Sequence, residues 1–471
     1  MLFHTVTFFW FLAAVVALAL LLPRAAVMAF LLGASYVFYG WSGPFFLLLL
    51  IASTLTDYSM ALYFAPRKHL RKLGIAISAL VNFSLLGFFK YSSFAFSNLG
   101  PTLAAIGIPA TLPALDIVLP VGISFYTFQS FAYTVDVLTG KIQPCRSLLR
   151  YALFVAWFPQ LVAGPINRAG DLLPQVERIV ERLRGMAERV PAAAALFAEG
   201  WLRKGCADLL IPTGDAFFAN PAASTSAGAV YGIVAFGLQI YGDFSGYTKM
   251  AQGASWLFGV RLIENFNLPY AASSVRDFWR RWHISLSTWF RDYVYIPLGG
   301  NRRSAARTYF NLAVTMLLCG LWHGANWTFI AWGAAHGTLL IAERALDRFG
   351  RWIPRPAAHV LTLVFVFLAW VLFRAPTLAV AGEAYAALGH GGWALPTVGF
   401  LAGVAGIVAI DQYFRCVGRS EYARADADAA MDARPAATWR SAALVAACVA
   451  IWSVGHVLGQ NQVAAFIYFQ F

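Results

Sequence analysis

Cys319-Gly320-Leu321-Trp322-His323-Gly324-Ala325-Asn326-Trp327 joins two apolar stretches, Leu312–Leu321 and Trp327–Ala335. Its reading decides the fold. Apolar sequence on both sides of a glycine-marked turn reads as bilayer-embedded helix, either one further crossing or a re-entrant hairpin. His323 is then at membrane depth, where an ionisable side chain is costly and marks function. Imidazole titrates near neutrality, so it can take a proton from a hydroxyl and later return it.

Working outward, the rest of the chain has the same solvent in mind. Of 471 residues, 60% are apolar and 12% charged, about half the charge of a soluble protein. Apolar stretches that read as candidate crossings of about 30 Å of hydrocarbon recur: Thr5–Leu22, Ala25–Trp41, Pro44–Phe64, Leu73–Phe89, Val118–Leu138, Ala192–Phe218, Val230–Met250, Val360–Phe373, Pro396–Ile410 and Ala442–Val457, the last three short of a full crossing as written and extended by their flanks. With the pair around His323 they predict about eleven crossings. The first stretch has an apolar flank and no small-residue cleavage site, so it reads as a retained span.

Lys and Arg outnumber Asp and Glu by 35 to 22. Placing Pro66–Lys72 in the cytoplasm and alternating the spans puts every basic residue inside except Lys90 and Arg374, as the positive-inside rule requires. With the pair around His323 counted as a re-entrant hairpin, the ten stretches leave both termini facing the periplasm. Basic loops between spans read as contacts for anionic lipid or an acidic cytosolic partner, not for nucleic acid. The five cysteines are scattered without a C-x-x-C, which argues against a disulfide framework or a zinc site. Cys319, one helical turn before His323, reads as a small packing residue or as the nucleophile of a Cys–His pair, the packing role being favoured.

Four further stretches depart from plain apolar sequence. Tyr151–Ile166 is short and punctuated by Pro159, Gly164 and Pro165, and reads as a re-entrant segment. From Leu172 to Val190 apolar residues recur at spacings of three and four opposite a charged face, predicting a helix on the cytoplasmic membrane surface or a docking helix. Val275–Tyr293 holds four Arg, three Trp, two Asp and His283, and reads as a partly buried polar wall or as an aromatic belt with snorkelling arginines. Asp243, in Tyr241-Gly242-Asp243-Phe244-Ser245-Gly246-Tyr247, needs a partner at membrane depth. Tyr126 and Gln129, after Leu119-Pro120-Val121-Gly122-Ile123-Ser124-Phe125, either bind a neighbouring helix or line a tunnel.

Taken together these motifs resemble the membrane-bound O-acyltransferase (MBOAT) superfamily across nearly the whole chain. The resemblance is carried by the segments around Gly122, Leu161–Ile166, Tyr241–Tyr247, Asn265–Tyr270, Phe278–Gly300 and Leu321–Gly324, with a family-like ending at Phe466–Phe471. It is nearest the bacterial branch that modifies alginate, cellulose and teichoic acid. The resemblance implies an all-α polytopic membrane protein: a ring of transmembrane helices with re-entrant and interfacial helices around a central funnel. It implies one domain over 1–471, comprising N-terminal helices (1–140), a cytoplasmic segment (141–204), a core (205–345) and C-terminal helices (346–471). It matches His323 and His283 to the family's catalytic histidines. It implies a cytoplasmic acyl thioester donor such as acetyl-CoA, no bound cofactor, and outward transfer in the bacterial inner membrane. A periplasmic SGNH-type acetyltransferase would then place the acetyl group on the exported polysaccharide; no such domain is fused here.

Residue chemistry agrees with this expectation. A thioester carbonyl is already activated, so no metal is required, and His323 is suited to deprotonate an acceptor hydroxyl. The same residues also allow a covalent acyl-histidine mechanism. Candidate oxyanion donors are Trp322, Trp327 and Asn326. Arg280 and Arg281, with Trp282 beside His283, suit the phosphates of a donor. The alternative function is a proton-coupled transporter or flippase, with Asp243, His283 and His323 as a relay, or a scaffold of an export complex.

Overall fold

The computed structural model describes residues 1–417 other than 42, 109–116, 163 and 347–352, with no description of the side chains of 414–417. The expected span Ala442–Val457, the polar loop before it and the Phe466–Phe471 ending lie outside the described residues. Every regular element described is helical. The chain divides into two compact units, one of residues 1–190 and 254–262, the other of 191–253 and 263–471.

In the first unit α1 (Val6–Leu21), α2 (Arg24–Gly40), α3 (Phe46–Phe64) and α5 (Ile123–Leu138) follow the expected spans, whereas α4 (Arg71–Ala105) starts near the expected Leu73 but continues well beyond the expected end at Phe89. Three are pinned by a polar knot. Asp57 of α3 is fully buried and accepts from Ser78 Oγ and Asn82 Nδ2 of α4 and from Thr134 Oγ1 of α5, the last two at 2.7 Å. In hydrocarbon such bonds have no water to replace them, so they fix helix register. Gly122 starts α5 at φ 77°, a conformation that favours glycine. A Cβ there would also lie 2.7 Å from the Leu161 carbonyl oxygen.

The expected re-entrant segment consists of α6 (Leu148–Ala156) and α7 (Phe158–Leu161) with buried irregular chain after them. Its broken backbone is served by side-chain amides. The Phe154 carbonyl accepts from Gln129 Nε2 and Gln160 Nε2 at 3.0 Å each, and Asn167 Nδ2 donates to Gln160 Oε1 at 2.9 Å. Non-helical backbone at membrane depth is tolerated when protein shields it in this way. The expected surface helix is broken instead of continuous. It runs as α8 (Ala169–Glu177), α9 (Ile179–Arg182), a 3-10 turn and then α10 (Met186–Asp208). Its apolar side is buried inside the protein, and Arg182 and Arg189 are buried with it, donating to the carbonyls of Gly259 and Trp256. Those two carbonyls compensate the guanidinium groups, which is why a charged residue leaves the polar face.

The second unit takes in most of α10, then α11 (Ile211–Ala219), α12 (Ser226–Leu257), two short helices α13 (Val275–Arg281) and α14 (Ile284–Phe290), a π turn over Arg291–Tyr295, α15 (Ala305–His323), α16 (Trp327–Ala345), α17 (Arg355–Arg374), α18 (Leu378–Ala387) and α19 (Val398–Val417). The unit boundaries fall within α10, within α12 and in the loop after α12, between Leu262 and Ile263. The stretch Ala192–Phe218, expected as one span, is split by a turn at Leu209–Leu210.

The distribution of polarity is that of a membrane protein. Phe46–Phe64, Lys68–Ala105 and Arg355–Arg374 are long and apolar enough to cross a bilayer, and α1, α2 and Val398–Tyr413 are shorter apolar helices. Trp10, Leu21, Leu80 and Leu361 are exposed, whereas Asp57, Asn82, His283 and Asn311 are buried. Water would reverse that arrangement; lipid favours it.

Candidate active site

The site is built in the second unit around the α15–α16 hairpin. Ser304 starts α15, its Oγ accepting from Arg307 N at 3.3 Å. Asn326 starts α16, its Oδ1 accepting from Thr328 N at 3.1 Å. These are N-caps, which satisfy donors a helix start leaves open. Between them the chain turns at His323–Gly324–Ala325. The helices approach backbone to backbone at Gly320 and Gly333: a Cβ on either would run into a carbonyl oxygen of the opposite helix, that of Phe329 or of Met316. Small residues allow this close packing in membranes. Arg302, Arg303 and Arg307 stand at the start of α15 and Arg344 at the end of α16, so both open ends of the hairpin are basic. His323 is at the closed end, about 28 Å along α15 by helical rise.

Three aromatic rings enclose His323. Its ring centroid lies 5.0 Å from Trp322, 5.2 Å from Trp332 and 5.0 Å from Phe373, and the residue is 5% exposed. The box keeps water from the imidazole. α13 runs back along α16. Glu343, near the end of α16, accepts from the backbone N–H groups of Val275 and Arg276 at 2.6 and 3.1 Å. Further along, Trp279 Nε1 donates to His336 Nδ1 at 3.3 Å. The Trp332 ring, next along α16, lies 4.8 Å from His336. α13 is thereby fixed to the helix whose Trp332 packs on His323.

His283 follows α13. Its φ is 41°, in the left-handed region that non-glycine residues rarely adopt. A facing strip of backbone holds this turn. Asn267 N donates to Arg281 O and Ile284 N to Asn265 O, both at 2.9 Å. Strained backbone of this kind persists where surrounding bonds over-determine it. The ring packs edge-on against Phe244 at 4.7 Å and lies 6.1 Å from Trp322. The two motif histidines therefore share one indole. His283 is wholly buried, and α13 and α14 are too short to span; burial lowers its pKa from the usual value to about 3, which keeps the ring neutral.

Asp243 has the partner its depth requires. Lys204 Nζ lies 3.0 Å from Asp243 Oδ1 and 2.5 Å from Asp208 Oδ1, and side chains of Lys204 and Asp243 are almost completely buried. The glycines of the Tyr241–Tyr247 motif make the pairing possible. A Cβ on Gly200 of α10 would strike the Gly246 carbonyl oxygen of α12, and one on Gly246 would lie 2.6 Å from that of Gly200. Next to Lys204 in sequence, Arg203 pairs with Glu199 and Asp411, both at 2.9 Å. Arg203 and Lys204 are thus interior charges, not loop charges.

The remaining expected residues sort by place. Arg281 Nε donates to Asp277 Oδ1 at 2.9 Å and Arg280 is exposed. Trp282 is a buried core ring, stacked on Phe278 at 5.5 Å and 4.8 Å from Trp370. Asn326 uses both ends of its amide, capping α16 and donating to the Pro376 carbonyl at 2.8 Å. Tyr126 and Gln129 belong to the first unit: Tyr126 packs on Tyr39 at 6.2 Å, and Gln129 serves the Phe154 carbonyl as described. Sequence reasoning missed Lys204, Trp332, Phe373, Asn265 and Ser285. A lysine inside the apolar run Ala192–Phe218 was the available signal for the first; Asn265 and Ser285 lie in the motif segments Asn265–Tyr270 and Phe278–Gly300 without a role of their own being assigned, and Trp332 and Phe373 carry no mark that separates them from packing residues.

A family model described as MBOAT, membrane-bound O-acyltransferase family, matches residues 5–381. The chain is 43% identical over 396 residues to a probable alginate O-acetylase, AlgI, of Azotobacter vinelandii, covering 82% of this chain and 78% of that protein. It is 35% identical over 380 residues to a peptidoglycan O-acetyltransferase of Helicobacter pylori, covering 74% and 71%. A teichoic acid D-alanyltransferase of Bacillus subtilis is 28% identical over 282 residues, covering 55% and 70%.

Proposed function

The chain belongs to the membrane-bound O-acyltransferase family, and from that premise we propose which transfer it performs and with which residues. It is a multi-pass O-acetyltransferase of the polysaccharide-modification machinery. Its substrate in our reading is an alginate-type exported polysaccharide, served indirectly. The acetyl group comes from a cytoplasmic thioester, acetyl-CoA or another acyl thioester. It passes through a funnel within a ring of about eleven spans. A periplasmic SGNH-type acetyltransferase receives it. The protein lies in the inner membrane with both termini periplasmic.

His323 is the general base in this reading. It takes the acceptor hydroxyl proton as the C–O bond forms, and the C–S bond of the thioester then breaks. The proton passes to the departing thiolate. His283 is the second imidazole of the same site, and Arg280 with the basic ends of the hairpin faces the donor's phosphates. The observation that carries the reading is the placement of His283 and His323 on one indole, Trp322, inside a water-excluding aromatic box. An aromatic enclosure strengthens a proton transfer or hydrogen bond by excluding solvent. The test is co-expression with the secretion operon, assaying acetyl ester on exported polymer for wild type and His323→Ala. Loss of ester with unchanged polymer export supports the reading. Loss of export at normal ester content would contradict it.

A further inference from the structure

Ser285 and Asn265 stand outside the reaction as described, yet their geometry constrains His283. The backbone N–H of Ser285 lies 3.3 Å from Asn265 Oδ1. An N–H can only donate, so the oxygen end of that amide faces Ser285. The Ser285 hydroxyl lies 2.6 Å from the same oxygen. A carbonyl oxygen only accepts, so the hydroxyl proton is committed to Asn265. On its other side Ser285 Oγ is 3.5 Å from His283 Nδ1. With its proton committed, the hydroxyl offers Nδ1 a lone pair. The hydrogen between them belongs to the imidazole.

We infer that Asn265 and Ser285 hold His283 as the Nδ1-protonated tautomer, so that Nε2 is the nitrogen presented to the reaction as a hydrogen-bond acceptor. Both are positioning residues: they act through His283. The second nitrogen of a working histidine is commonly fixed by such a partner, which selects tautomer and ring orientation. Three further observations favour the assignment. All three residues are buried. The neutral ring that a tautomer requires is what burial enforces. Asn265 is itself anchored, its Nδ2 donating to Thr248 Oγ1 at 3.4 Å and its carbonyl oxygen accepting from Ile284 N. One asparagine therefore sets both the left-handed backbone at His283 and the proton on its ring.

The functional part of this inference rests on the reading of His283 given above, and the experiment separates the two. Full-length Ser285→Ala, Ser285→Thr, His283→Ala and the Ser285→Ala/His283→Ala double variant are expressed with the secretion operon. Polymer acetyl ester is normalised to monodisperse protein extracted in detergent. Ser285→Ala is expected to lower ester about 10- to 100-fold, the usual loss when a partner of a working histidine is removed. Ser285→Thr, which keeps the hydroxyl, recovers most of it. In the His283→Ala background Ser285→Ala causes no further loss. An equal further loss there would overturn the inference, because Ser285 would then act by another route. Wild-type ester in His283→Ala would overturn the reading of His283 itself. A readout independent of activity is the ¹⁵N spectrum of histidine-labelled protein in lipid, with His283 assigned by its disappearance in His283→Ala. A protonated Nδ1 is expected, and a protonated Nε2 overturns the tautomer assignment. Should Ser285→Ala fail to fold, the wild-type spectrum alone decides the tautomer: a protonated Nδ1 supports the inference and a protonated Nε2 overturns it.

Discussion

At the scale of residues the protein is governed by the cost of charge and polarity away from water. Asp243 is affordable because Lys204 lies 3.0 Å away, and Lys204 in turn serves Asp208. Removing one member of a buried ion pair strands the other at about 3–5 kcal/mol. Lys204→Met is therefore expected to lower the yield of monodisperse protein and its melting temperature, and adding Asp243→Asn to Lys204→Met to restore much of both. Equal melting temperatures for wild type and Lys204→Met would remove the pair from the account. His323 and Asp243 were legible in the sequence, since each is an ionisable residue in an apolar run with no local reason to be there. Their partners were not. The Lys204–Asp243 pairing depends on how α10 meets α12, and the rings around His323 come from α15, α16 and α17. No spacing within one segment encodes that meeting.

Helical elements were read well where one apolar period ran uninterrupted, and badly where buried polar groups rewrote it. The stretches behind α1, α2, α3 and α17 appear as helices close to the expected limits. The amphipathic stretch Leu172–Val190 breaks into pieces because Arg182 and Arg189 turn inward to backbone carbonyls, which periodicity assigned to the polar face. Likewise the re-entrant segment was visible from Pro159 and Gly164, but the amides of Gln129 and Gln160 that stabilise it were visible only as polar residues. Gln160 Nε2 also donates to Gln129 Oε1 at 3.0 Å, whereas Asn167 Nδ2 keeps the Pro165 carbonyl as a second acceptor. Gln160→Leu is therefore expected to cost about 1–3 kcal/mol, chiefly for Gln129 Oε1, seen as a lower melting temperature in detergent. An unchanged melt would show that the bonds are dispensable. The α15–α16 hairpin makes a sharper demand. Gly333→Leu forces a side chain into the Met316 carbonyl, and overpacking of this kind costs about 1–3 kcal/mol or more. It is expected to reduce both folded protein and polymer acetyl ester, since the hairpin end carries His323. Normal ester from Gly333→Leu would mean that the hairpin packing does not set the site.

On the scale of the whole molecule, composition alone placed the chain in a membrane, and the inverted distribution of exposed Leu and Trp against buried Asp, Asn and His is the same fact seen in three dimensions. The motifs identified the family correctly, and in this chain several of them mark positions where packing requires a glycine or a buried polar group. Which residues carry the chemistry is our proposal, and it makes the two motif histidines parts of one site. Groups that act as a unit show non-additive losses. The most direct measurement is the initial rate of acetyl ester formation on exported polymer for wild type, His283→Ala, His323→Ala and the double variant, at matched amounts of monodisperse protein. The account predicts that His323→Ala loses about 10²-fold or more, that His283→Ala is also impaired, and that the double variant is no worse than His323→Ala. Wild-type rates from His323→Ala, or losses that multiply in the double variant, would contradict it.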